Sequence, residues 1–255
     1  MNTNKKTLLL LLSALTVLTV TAMAALRGQN QQPAARQPQQ QAKPPDYSDW
    51  PVADYDAPEP DDPKKRDKRQ KKNGRDNLAI APPYGVRDAI GSNLINDWEV
   101  NLPALPASQS DAVIVGEIVN AEAYLSADKR SLFSVFTVRL TEVLKTDQCP
   151  FFAPGETITV EREGGRVKYP NGKTLYFVIE GQGMPRVGAR YLLFLKHDGE
   201  EHSIVTGYQL QAGRVRALDY FEQFKSFEKF DEASFLQEVR NAIKSSFTPA
   251  SQERR

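Results

Sequence analysis

Apolar residues change their spacing several times along the chain, and each change marks a boundary. From Thr7 to Ala25 they run almost without a break. From there to about residue 76 they become sparse among Gln, Pro and charged residues. Leu94, Ile95, Trp98, Val100, Leu102 and Leu105 then return at irregular intervals. Past Asp111 the spacing settles to two, which is how a strand sorts its side chains between opposite faces. Near residue 232 it changes again, to the three-and-four spacing of an amphipathic helix.

The period-two region predicts strands bounded by turn residues. The first runs from Ala112 to Ala121 or beyond, and "SADKRS" turns it into a longer second strand, "SLFSVFTVRLTEVLKT". "TITVER" follows, with Ile158 and Val160 facing in and Thr157, Thr159 and Glu161 facing out. Gly164-Gly165 and Pro170-Asn171-Gly172 mark turns, the second a hairpin signal. "KTLYFVIE", "RYLLFLK", His202 to Thr206, Tyr208 to Leu210 and a short piece near Val215 complete the set. Six or seven strands without intervening helices indicate an all-β fold, a sandwich or barrel. Two of these strands are apolar on both faces, so something must cover the outer one. The C-terminal segment is the expected cover. Asp231 caps a helix in which Phe235, Leu236, Val239, Ala242 and Ile243 form one stripe, and Phe221, Phe224, Phe227 and Phe230 lead into it.

The earlier segments divide the remainder. Residues 1–25 have Lys5 and Lys6 before the apolar run and an A-x-A pattern at Ala22-Met23-Ala24, the marks of a secretory signal. The same run is long enough for a retained membrane anchor, and either reading sends the rest of the chain out of the cytoplasm. Residues 26–76 read as a disordered Gln/Pro-rich and charged linker. Its basic run, Lys64 to Arg75, suggests contact with an anionic membrane surface or simple solvation. Residues 77–108 are expected to pack on the domain as an extended piece anchored by Trp98. The barrel occupies 109–218, and 219–255 form the helix and tail.

Charge and cysteine content narrow the chemistry. Between Asp111 and Ala217 lie 13 acidic and 13 basic residues, which argues against a nucleic-acid groove. The single cysteine, Cys149, excludes an internal disulfide and any zinc site needing two thiolates. His197 and His202 are the two histidines, with Asp198, Glu200 and Glu201 between them. Across a hairpin at Asp198-Gly199 they become cross-strand neighbours, but a metal would still want a third ligand. "EGQGMPRVG" lacks the strand–helix setting of a phosphate cradle. The reading therefore has no catalytic, metal or cofactor residues.

Ser110, Asp111, Val113, Gly116 and Ile118, followed by Val143, Leu144 and Lys145, carry a resemblance. They look like the opening of the OB-fold barrels of the netrin and tissue-inhibitor-of-metalloproteinase (TIMP-like) type. Gly188, Tyr191, Leu193 and Leu195 are similar to a later strand of uncharacterised exported bacterial relatives. The resemblance covers about 108–217 and implies an OB-like barrel of five to seven strands with the C-terminal helix on it. Inhibitors of that kind place a cysteine on the protease zinc, and no cysteine stands near Asp111. The expected function is an exported, non-catalytic protein- or peptide-binding module whose partner is another envelope or extracellular protein. The alternatives are a protease-inhibitor-like barrel, or a hydrolase or metal-dependent enzyme using His197 and His202.

Overall fold

The computed structural model describes residues 47–74, 101–147, 152–199 and 201–246. The signal or anchor at 1–25, the Trp98 anchor, Cys149 and the tail beyond Ser246 lie outside them. Among the described residues no helix is long and apolar enough to cross a membrane.

The described chain is mostly β. Two long strands, β2 (Ala112–Leu125) and β3 (Leu132–Thr146), form an antiparallel hairpin. β4 (Thr157–Glu163) pairs with the outer side of β3, and β7 (Arg190–Asp198) with the other side of β2. β8 (Glu201–Gln211) and β9 (Arg214–Ala217) extend the sheet beyond β7. β8 also meets β4 in parallel, through Val160 with His202 and Glu161 with Ser203. The pairing thus runs from β4 through β3, β2, β7 and β8 back to β4. A second sheet joins β1 (Val52–Asp54), β5 (Gly165–Lys168) and β6 (Thr174–Phe177), with β1 parallel to β5.

Alternation along β2 and β7 builds two cores from one pair of strands. Ile114, Ile118, Tyr191, Leu193 and Leu195 join Phe136, Val138, Val160 and Trp50 on one face. Val113, Val115, Leu192 and Phe194 join Tyr208, Phe224, Phe235, Val239 and Ile243 on the other. The two-sided apolar run of β7 is explained by this second core, whereas that of "KTLYFVIE" is not: Leu175 and Phe177 pack in a third cluster with Val167 and Tyr169. The cover of the second core includes α2 (Glu222–Lys225) and α3 (Glu232–Ser246). Asp231 begins α3 as expected, its carboxylate accepting from the Ser234 amide at 2.9 Å. Of the phenylalanine series, Phe224 is buried, whereas Phe230 is exposed.

One expectation is corrected. Residues 47–74, assigned to a disordered linker, are ordered as an arm across the sheets. Trp50 is 4% exposed and belongs to the inner core, and Tyr55 stacks on Tyr169. α1 (Pro63–Lys71) follows, with Asp62 as N-cap and Pro at its start. Composition misled because a few aromatic anchors order a segment whose average is polar. A second correction follows from the first: Glu161, expected to face solvent, is 3% exposed because α1 lies over it.

Candidate functional site

Lys68 and Lys72 stand four residues apart, so they project from one side of α1 and its C-cap. Both reach the same two carboxylates. Lys68 Nζ lies 3.0 Å from Glu161 Oε2 and 2.7 Å from Glu201 Oε1. Lys72 Nζ contacts Glu161 Oε1 and lies 2.9 Å from Glu201 Oε2. Glu161 comes from β4 and Glu201 from the start of β8, so the parallel β4–β8 pairing brings them together. Tyr124, near the end of β2, donates to Glu161 Oε2 at 3.2 Å. Two aromatic rings complete the enclosure. Lys68 Nζ is 5.6 Å from the Tyr124 ring centre, and Lys72 Nζ 4.8 Å from that of Phe133. Carboxylates and ring faces both attract an ammonium group, and each lysine meets both.

The electrostatics follow from this crowding. Burial pushes Glu201 upward, but hydrogen bonds with Glu161, Lys68 and Lys72 outweigh it and hold the carboxyl down at about 2. Burial opposes the charge on Lys72, yet the hydrogen bonds to Glu161 and Glu201 prevail and its pKa is raised. The Tyr124 phenol is pushed up by burial, then by the Glu161 and Glu201 charges. Arg69 Nε donates to the Leu125 carbonyl at 2.8 Å, and the Asp128 carboxylate accepts from the Gly74 amide at 3.0 Å. The basic run is therefore divided. Lys68, Arg69 and Lys72 turn to the protein, while Lys64 and Lys65 remain exposed.

The histidines form a different arrangement. They are direct cross-strand partners in the β7–β8 hairpin, with ring centres 4.6 Å apart. Phe152 closes on His202 edge-on at 4.9 Å. Burial lowers the His202 pKa, the nearby His197 lowers it further, and Asp111 acts in the opposite direction. Asp111 is occupied with backbone, its Oδ2 accepting from the His197 amide at 2.8 Å. Among the described residues no group of three metal-donor side chains assembles.

Two further polar clusters are architectural. Arg162 donates to Asp219 Oδ2 at 2.8 Å and to the Gly183 carbonyl at 2.7 Å, with its side chain 1% exposed. Thr206 and the Gly183 amide also donate to Asp219, so one carboxylate fastens the 181–186 loop to β8. Gly183 of "EGQGMPRVG" serves this packing: a Cβ there would stand 1.9 Å from the Leu218 carbonyl oxygen. Lys145 donates to the Ala107 and Ser110 carbonyls at 2.8 and 2.7 Å, tying down the entry to β2. Gly116 permits β3 to approach, since a Cβ there would meet Val138 at 2.5 Å. In comparisons with known proteins, no family model and no curated protein matches this chain.

Proposed function

We propose that the chain is an exported, non-catalytic module that binds protein or peptide segments, built on an OB-like barrel of the TIMP type. One observation carries the reading. The sheets already hold a peptide-like segment, the arm 47–74, by the means such modules use. β1 adds a strand beside β5, Trp50 fills an apolar site, and α1 docks through paired side chains. A surface that takes a segment of its own chain in this manner is suited to extended partners.

The barrel reading is supported by the circuit of pairings from β4 back to β4, which a five-stranded OB barrel requires. It is also supported by Ser110, Gly116 and Lys145, the residues of the resemblance, which set the path of β2 rather than any chemistry. Export rests on Lys5, Lys6 and the apolar run from Thr7 to Ala25.

Selection of a peptide-display library against the purified full-length chain tests the proposal. Enrichment of a shared sequence pattern whose members compete with one another is expected. A selection that enriches nothing over an uncoated surface would contradict it. A hydrolytic activity lost on replacing His197 and His202 by alanine would favour the enzymatic alternative instead.

A further inference from the structure

The same geometry bears on what kind of segment is bound. α1 has the composition PKKRDKRQK and carries no buried residue. A helix this short and this polar is marginal by itself. Its hold on the sheets therefore rests on polar contacts, with the two lysines at the centre. The remainder of the arm has its own apolar anchors in Trp50, Ala53 and Tyr55. α1 can thus detach while the arm stays attached and the sheets stay folded.

The receiving groups are arranged differently. Tyr124, Phe133 and Glu161 stand on β2, β3 and β4, and Glu201 opens β8. The enclosure therefore persists when α1 leaves. Departure of both ammonium groups uncovers Glu161 and leaves it beside Glu201 with neither carboxylate holding its counter-charges. Repulsion between the two like charges favours entry of another cation of the same shape.

We propose that Tyr124, Phe133, Glu161 and Glu201 form a recognition site for a partner protein's helix bearing lysines four residues apart, with α1 as a built-in competitor. This rests on the peptide-binding reading and names the partner's chemistry. Tethering gives α1 a high effective concentration, so the partner binds weakly until α1 is displaced.

A fluorescent synthetic peptide spanning residues 62–74 serves as the probe, titrated into three full-length proteins. The doubly substituted chain, Lys68→Gln with Lys72→Gln, is expected to bind it at least tenfold more tightly than the unaltered chain. Adding Glu161→Gln to that variant is expected to weaken binding at least tenfold. Equal binding by the unaltered and doubly substituted chains overturns the competition. Binding indifferent to Glu161→Gln overturns the site, while leaving the peptide-binding reading in place. An unaltered chain that is dimeric and becomes monomeric on the double substitution assigns the site to arm exchange between copies, and also overturns the proposal. Should the double variant fail to fold, hydrogen exchange on the unaltered chain decides. Protection of amides 64–72 is expected to fall at least tenfold between low and high salt, with β2 and β3 unchanged. Protection insensitive to salt overturns the inference.

Discussion

Buried and exposed ion pairs in this protein look alike on paper and differ in consequence. Arg162 and Asp219 are 1% and 3% exposed, and each is satisfied largely by the other and by backbone. Replacing Asp219 by alanine leaves a buried guanidinium without its counter-charge, at a cost of about 3–5 kcal/mol. Arg139 and Glu117 are in contact at 2.6 Å but 56% and 38% exposed. Solvent screens that pair, and Arg139→Ala should change stability by less than about 1 kcal/mol. Urea unfolding of both variants checks the contrast; equal losses would refute it.

His202 gives a residue-level pH signature. Its folded pKa lies below the ordinary 6.5, so near and below that value the unfolded chain binds more protons. Stability is therefore fully present above about pH 6.5 and declines as the pH falls through the window beneath it. Replacing His202 by phenylalanine should flatten the unfolding free energy across that window. An unchanged slope would show that another group titrates there.

At the scale of elements, α3 and the 181–186 loop are held by opposite means. α3 is fastened by apolar contact, with Phe235 fully buried against Tyr208 at a ring separation of 4.7 Å. Phe235→Ala should cost about 3–5 kcal/mol in thermal or denaturant unfolding, because the surrounding strands cannot collapse into the space. The loop depends on backbone proximity instead. Gly183→Ala forces the chain off the Leu218 carbonyl and should disrupt the Arg162–Asp219 junction, read as lost protection of the Gly183 amide in hydrogen exchange. Retained protection at that amide would contradict this account. The elements themselves were largely legible. Alternation from Ala112 onward, the Pro170-Asn171-Gly172 turn and the Asp231 cap are all local signals, and each marks an element found in place. The histidine pairing was legible for the same reason, since a hairpin brings near neighbours together.

At the scale of the whole molecule, the arm is where sequence and structure part. Its helix is written locally: Asp62 as cap, Pro63 at the first position, then no glycine until Gly74. The strongly basic composition outweighed that signal. The partners themselves are not local. Lys72 and Glu161 are separated by 89 positions, and Arg162 and Asp219 by 57. No periodicity links such residues, because their meeting depends on the β4–β8 closure and the path of the arm. Burial of Glu161 was likewise out of reach, since alternation reports which face a residue takes but not what later covers it. The clasp should also have two pH limits. Glu201, held at about 2, loses its contribution as pH falls from its ordinary 4.5 towards that value, and Lys72, raised above 10.5, loses its own as pH rises past it.

A double-mutant cycle on Lys72 and Glu161, using Lys72→Met and Glu161→Leu singly and together in the full-length chain, measures the docking of the arm directly. Docking as described requires a coupling free energy of about 1–3 kcal/mol between the two positions. Strictly additive effects would mean that the basic helix does not rest on β4, and would contradict the docking of α1 through Lys72.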